Sequence, residues 1–223
     1  MNIVTGSAGG LGKFVYEQFT DNNKEVLGLD IVDSPSTDLK INLADKNEIR
    51  ELFEKIDSKV ESITFSHAVG NSINNLKKYD ETYYRFVNAE SNFYMLDQLQ
   101  NKLKKEASII FISSVHSQLT NNESSNYALS KVYLEGLYRR FCLQNNPTNI
   151  RKSLIRLGAM DTNMLRENID SIDQLTLALP SKNLINPDVV ADFIFNFHSK
   201  YKLDFDCSIL QIDNGVGYQL STF

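Results

Sequence analysis

The chain has 223 residues, and its 42% hydrophobic and 23% charged residues sit near globular averages, which excludes a disordered or low-complexity protein. Lys and Arg number 23 against 28 Asp and Glu, giving −5, whereas nucleic-acid-binding domains carry a basic surplus to meet phosphates. No apolar run approaches the ~18 residues needed to cross a bilayer. In chain order, Asn2–Thr5 is a short strand ended by Gly6, and Leu11–Thr20 is a helix with Leu11, Phe14, Val15 and Phe19 at helical spacing. A strand follows at Glu25–Asp30, then a polar loop broken by Pro35, a short strand at Leu39–Leu43 and a helix at Lys46–Ile56. Ser62–Ser66 is a strand, Tyr79–Lys104 a long helical stretch and Ser108–Ser113 a continuous apolar strand. The pattern continues with a helix at Asn126–Leu143, a strand at Ser153–Leu157, a helix at Pro187–His198 and a last strand at Ser208–Ile212.

Strands that alternate with helices in this way build βαβ units. The runs SITFS and SIIFIS lack polar alternation, as strands covered on both faces should. The expected fold is α/β, a Rossmann-like doubly wound parallel sheet of about seven strands with helices on both faces. One domain is expected to span residues 1–223, with no linker and no internal repeat. Residues 163–186, rich in Asn, Asp, Ser and Leu, are the least regular segment and are expected to form a mobile insertion covering the substrate. A Gly-rich turn that begins at Thr5 leaves no room for a secretory signal. Cys142 and Cys207, outside any CxxC pair, read as buried or idle thiols, and a cytoplasmic setting is expected. His67, His116 and His198 lie far apart, so no metal site is expected.

The turn Thr5-Gly6-Ser7-Ala8-Gly9-Gly10-Leu11-Gly12 joins the first strand to the first helix. Glycines there let the backbone approach a pyrophosphate, and the helix N-terminus offers free N–H groups and a positive dipole end. Asp30 ends the next strand, 24 residues after Gly6. A carboxylate there accepts hydrogen bonds from ribose hydroxyls and repels a 2′-phosphate. No Lys or Arg stands in Ser7–Gly12 or at Ile31 and Val32, so NAD(H) is expected over NADP(H).

Tyr127 and Lys131 stand four apart at the start of a helix and share one face. A nearby ammonium favours a phenolate, and is expected to draw Tyr127 from ~10 toward neutrality, where a phenol can serve as acid and base. The strand Ser108–Ser113 runs straight into Ser114, 13 residues before Tyr127. Strand ends on that edge of a parallel sheet carry the site.

These residues together resemble the short-chain dehydrogenase/reductases of compact, single-domain type. TGSAGGLG at Thr5–Gly12 resembles the TGxxxGxG turn, FVNAESNF carries a helix Asn at Asn88, and IFISSVHS carries the catalytic Ser at Ser114. YALSK supplies YxxxK, RLGAMDTNM resembles the PGxxxT segment, and LQIDNG resembles the last strand with its DGG-like turn. The six stand in the family's order over nearly the whole chain. The resemblance implies that Tyr127 is the general acid/base, that Lys131 lowers its pKa and binds the nicotinamide ribose, and that Ser114 bonds the substrate oxygen. It implies that Asn88 holds a water linking Lys131 to solvent, and that Thr162 meets the nicotinamide carboxamide or the phosphates. It implies a cofactor cleft lined by Thr5, Gly6, Ser7, Gly10, Leu11 and Gly12, by Asp30, Asn42, Leu43 and Ala68, and by Gly158 beside Thr162. The family's NNAG loop reads here Ser66-His67-Ala68-Val69, followed by Gly70, so only Ala68 matches cleanly. His67 is expected to be a loop histidine with a backbone partner. Asn42 stands where Asp is common, Leu157 replaces Pro, and Ser153 replaces an upstream Asn. None of these departures touches Asn88, Ser114, Tyr127 or Lys131, which favours a working enzyme.

His116, two residues past Ser114, and Arg166 in the covering segment are candidate substrate contacts. The polarity of residues 163–186 suits a small polar molecule such as a sugar or polyol better than a steroid. Alternatives are a 3-oxoacyl thioester reductase, which Asp30 opposes through its NADPH, and a non-catalytic NAD(H)-binding protein. The lysines at Lys102–Lys105 read as a solvated helix face. A homodimer or homotetramer is expected through the two long helices, with Leu134, Leu137, Tyr138 and Phe141 as its apolar supply.

Overall fold

The computed structural model describes residues 1–119, 125–144, 149–200 and 205–217. Seven parallel strands form one sheet in the order β3-β2-β1-β4-β5-β6-β7. They are β1 (Asn2–Thr5), β2 (Val26–Asp30), β3 (Leu39–Lys40), β4 (Val60–Phe65), β5 (Leu103–Ser114), β6 (Arg151–Leu157) and β7 (Ser208–Ile212). The expected doubly wound α/β fold is therefore present. The order reverses between β1 and β4, the switch point at which doubly wound sheets hold their ligands at the strands' C-terminal ends.

Side chains alternate along each strand and divide the core in two. Ile3, Ile63, Ile109, Phe111 and Leu154 face a layer built by α2 (Lys46–Lys55), α5 (Ser91–Leu99) and α6 (Ser125–Cys142). Val4, Ile110 and Ile155 face α1 (Gly10–Asp21) and α9 (Pro187–Lys200), which supply Leu11, Val15, Phe19, Ile194 and Phe197. Both faces of the central strands are thus buried, which is why their sequences show apolar runs without alternation.

The stretch read as one helix over Tyr79–Lys104 divides differently. Asp80 caps α4 (Glu81–Arg85) through the Tyr83 N–H, one turn of π-helix covers Phe86–Glu90, and α5 ends at Leu99. Leu103, Lys104 and Lys105 belong to β5, so the lysine cluster is not a helix face. Lys102 donates to the Ile56 carbonyl at 2.5 Å, satisfying the end of α2, and Lys104 pairs with Glu61 at 2.5 Å. Strand β5 is longer than the apolar signal because Leu103 already pairs with Val60, ahead of an exposed irregularity at residues 104–106.

Residues 163–186 are more ordered than expected. They hold α7 (Asn163–Arg166) and α8 (Ile172–Ala178), each with a side-chain N-cap, from Thr162 and Ser171. A bridge between Met160 and Ile185 pins the neck, with Ile185 donating to the Ala159 carbonyl at 2.9 Å. Cys142 is half-buried and Cys207 exposed, and both are free thiols.

His198 lies inside the α9 layer, with Nε2 2.9 Å from the Thr64 hydroxyl and Nδ1 without a partner. Burial, reinforced by the Arg151 charge, pushes its pKa down to about 3. Unfolded, the ring titrates near ~6.5, so below that pH the unfolded chain binds the proton that the fold refuses. This contribution to stability is complete above pH ~6.5 and is lost as the pH falls toward 3, by roughly 1.4 kcal/mol per unit. Thermal melts are expected to show a Tm that declines below pH ~6.5, with a shallower decline in His198→Gln.

Candidate active site

The glycine turn is shaped by close backbone approach. A Cβ on Gly12 would lie 2.0 Å from the Gly6 carbonyl oxygen, so no other residue lets α1 start this near β1. Gly9 caps α1 with no side-chain bond, and the first turn holds no acid. The helix thus presents N–H groups and the positive dipole end without a competing carboxylate. That surface fits a pyrophosphate. Ser7 and Leu11 are buried, so each can serve a ligand only through its backbone. Ser36 Oγ donates to the Ser7 carbonyl at 2.6 Å and fixes the turn from below.

Asp30 sits at the tip of β2 beside this turn. Its Oδ2 accepts from the Ala8 N–H and its Oδ1 from the Val32 N–H, both at 2.9 Å. Each oxygen keeps a lone pair for a ribose hydroxyl. Nearby Lys40 is paired with Asp33 at 3.3 Å. Asn42 uses its Oδ1 on the Ala44 N–H at 3.0 Å, and Leu43 is a core residue whose side chain packs inward.

His67 keeps the expected backbone partner, in Val87, and adds two side-chain partners. Its Nδ1 lies 2.6 Å from Thr5 Oγ1 and its Nε2 2.9 Å from Ser91 Oγ. Ser91 spends its own proton on the Val87 carbonyl at 2.9 Å, so Nε2–H donates to Ser91 and Nδ1 accepts from Thr5. The ring is neutral, with its pKa lowered to about 3 by burial and then by the Lys131 charge. It ties the ends of β1 and β4 to α5, and Thr5 therefore faces His67.

The remaining candidates gather at the ends of β5 and β6. Ser114 leads into a 3-10 turn, Val115–Ser117, where its Oγ accepts from the His116 N–H at 3.2 Å. Ser114 also hydrogen-bonds the Tyr127 phenol. Lys131 Nζ lies 5.5 Å from the Tyr127 ring centroid and donates to the Ile112 carbonyl at 2.9 Å. Burial dominates both groups. It pushes the Tyr127 phenol up to about 12, against the pull of Ser114, and the Lys131 ammonium down to about 8, against the pull of Glu135. The expected drift of Tyr127 toward neutrality is thus reversed, because burying a phenolate outweighs the help it receives. His116 Nδ1 is 3.2 Å from the Leu119 carbonyl, and its ring meets the Tyr127 ring edge-on at 6.0 Å.

Asn88 sits in the π turn with both of its amide hydrogens used and one bond to its oxygen. Oδ1 accepts from the Val69 N–H at 2.7 Å, and Nδ2 donates to the Val69 carbonyl at 3.1 Å and to Ser130 Oγ at 2.9 Å. Its side chain clamps the loop after Ala68 to α6. Gly158 lets the end of β6 touch the final turn, since a Cβ there would lie 2.7 Å from Asp213 Cα. Thr162 caps α7 and approaches Gly10. Met164 packs onto Gly70, so the covering segment spans from the end of β6 to the end of β4. Arg166 instead pairs with Asp161 at 2.8 Å. The two line a recess of about 520 Å³ against Pro187, to which Ser114, His116, Tyr127 and Lys131 contribute nothing.

A buried network escaped the sequence reading. Glu135 accepts from Arg156 at 2.9 and 2.7 Å and from Ser113 at 3.0 Å. Its signals were an Arg inside an apolar strand and a Glu four residues past Lys131, since charged residues are seldom buried unpaired.

A family model described as enoyl-(acyl carrier protein) reductase matches residues 16–217. The chain belongs to the short-chain dehydrogenase/reductase family. An uncharacterized short-chain type dehydrogenase/reductase of Sinorhizobium fredii is 22% identical over 96% of this chain, which spans only 43% of that relative's length. The 3-oxoacyl-(acyl-carrier-protein) reductase FabG of Thermotoga maritima is 24% identical over 96% of both chains. Among solved structures, a short-chain dehydrogenase family protein from Francisella tularensis aligns with TM-score 0.88 at 22% identity over 98% of each chain. The 3-alpha-hydroxysteroid dehydrogenase of a Pseudomonas species, complexed with NADH, aligns at 0.83 with 16% identity over 99% and 98%. BdcA in complex with NADPH aligns at 0.81 with 17% identity over 96% of this chain and 92% of BdcA.

Replacing Asn88 by Ala strips both polar groups of Val69 of their partner. Chemical denaturation is expected to show a loss of about 2–4 kcal/mol.

Proposed function

We propose that this short-chain dehydrogenase/reductase is an NAD(H)-dependent oxidoreductase that moves hydride between nicotinamide and the alcohol or carbonyl carbon of a small polar substrate. The observation that carries the reading is the Ser114–Tyr127 hydrogen bond beside buried Lys131, on the same rim as the uncapped start of α1. When bound, the dinucleotide supplies the hydride donor or acceptor. The α1 N-terminus would hold its pyrophosphate, and Asp30 the adenosine ribose. Asp30 disfavours a 2′-phosphate by charge, which supports NAD(H), although the solved relatives include one complexed with NADH and one with NADPH.

In the reducing direction, Tyr127 enters with its proton in place, since burial holds the phenol far above neutral pH. It donates that proton to the substrate oxygen as negative charge develops there, and Ser114 donates a hydrogen bond to the same oxygen. Lys131, charged at neutral pH, stabilises the phenolate left behind. In the oxidising direction the same groups run in reverse. His116 beside the Tyr127 ring and the polar covering segment support a sugar or polyol. The Thermotoga relative supports a second reading, a 3-oxoacyl thioester reductase.

Calorimetry is expected to show NADH binding at least about tenfold tighter than NADPH, and Asp30→Ser to narrow that ratio. Tyr127→Phe is expected to keep NADH binding and cut turnover of a sugar and polyol panel by about a hundredfold or more. Tighter NADPH binding with reduction of acetoacetyl thioesters would select the second reading. NADH binding with no turnover on a broad carbonyl panel would sink the proposed reaction.

Self-association is part of the proposal, with a corrected surface. Leu134 and Tyr138 belong to the core, and Leu137 and Phe141 pack against it. The exposed apolar residues of α6 are Leu129, Val132 and Tyr133, beside Arg85 of α4. This face supports a homodimer or homotetramer, and the two free thiols suit a reducing cytoplasm. Light scattering at micromolar concentration is expected to show an oligomer that Val132→Glu dissociates. A wild-type monomer would overturn the assignment.

A further inference from the structure

Glu135 stands on α6 one helical turn after Lys131, and so on the same side of the helix. It is buried together with Arg156 of β6. Both Glu135 oxygens meet the guanidinium, Oε1 at 2.9 Å from Nε and Oε2 at 2.7 Å from Nη2. Ser113 and Ser117, which flank the corner carrying Ser114, both donate to Oε1, at 3.0 and 2.5 Å. Arg139 adds a bond to Oε2 at 3.2 Å. The far side of Arg156 donates to Gln211 of β7 at 2.8 Å, and Gln211 donates to Asp213 at 2.5 Å. Asp213 in turn is the residue against which Gly158 packs.

A buried ion pair is weak evidence for stability, because apolar residues of similar volume often serve as well. This one has a geometric consequence that apolar packing lacks. Through directional bonds it joins the helix of Tyr127 and Lys131 to the corner of Ser114 and to the last turn, on which Gly158 packs. We propose that Glu135 and Arg156 form the seat of the active site, with Arg156 fixing the Glu135 carboxylate so that it gives Lys131 a counter-charge one turn away. The proposal rests on the reading of Tyr127 and Lys131 as the acid/base pair. Glu135 and Arg156 are positioning residues and touch no reacting atom.

Among the described residues, the other titratable groups around Lys131 are Tyr127 on α6 and His67 after β4, with His116 against the Tyr127 ring. His67 is neutral, and Lys131 is what depresses it further. Glu135 is the carboxylate that opposes the effect of burial on Lys131.

The test follows the Lys131 Cε resonance against pH in the full chain, without substrate, with the signal assigned by its absence in Lys131→Met. In Glu135→Gln the midpoint is expected to fall by on the order of one pH unit, because the counter-charge is gone and Arg156 is left unpaired. The double variant Glu135→Gln with Arg156→Gln, which leaves no lone buried charge because Arg139 is exposed, is expected to fold and to show a smaller fall. Glu135→Asp is expected to restore most of the midpoint. A folded Glu135→Gln whose midpoint matches wild type overturns the proposal. Should that variant fail to fold, an unmoved midpoint in the double variant does so. A merely structural part for Glu135 would lower Tm and leave the midpoint in place. Absence of turnover in the wild type would count against the proposed reaction and leave this result standing.

Discussion

Parallel pairing is the constraint on which the rest of the molecule depends. Because all seven strands run the same way, their C-terminal ends share one rim. Thr5 is paired with Phe65 and Leu29, and Ser114 with Leu157, which is paired with Ile212. Residues far apart in the chain therefore become neighbours through backbone hydrogen bonds alone. The glycine turn, Asp30, the Ser114 corner and the last turn all open from this rim, and each loop needs only local chemistry to find its place.

Burial then sets the character of the groups on that rim. Tyr127, Lys131 and His67 all shift toward their uncharged forms, because each has left water for a crowded interior. The polar groups nearby answer that cost with directional bonds. Ser114 supports Tyr127, Ile112 and Glu135 support Lys131, and Thr5 and Ser91 hold His67. The site is thus a polar island between two apolar layers, and its geometry is held by satisfied hydrogen bonds.

Much of this was legible in the chain. The apolar runs at Ser62–Ser66 and Ser108–Ser113 mark central strands because both of their faces are buried. The glycine turn is legible because close backbone approach admits little else. Tyr127 and Lys131 are legible because four residues make about one helical turn. The misread segments had a different physics. Lys102–Lys105 looks helical by charge, yet the pairing of Leu103 with Val60 starts β5 there. Residues 163–186 look irregular by composition, while their order comes from two caps and a pinned neck.

Local signals in the amino-acid sequence therefore determined the class of fold, the glycine turn and the pairing of Tyr127 with Lys131 on one helix face, because periodicity and short spacings are written along the chain. Tertiary structure alone decided that His67 bonds Thr5 and Ser91, that Asn88 clamps Val69, that Arg166 turns to Asp161, and that Glu135 and Arg156 meet beneath Ser114. Those partners lie on different elements, and only the packing of helices on the sheet brings their atoms within bonding distance. The same packing decided the charge states, since burial is a property of the fold and not of any one residue.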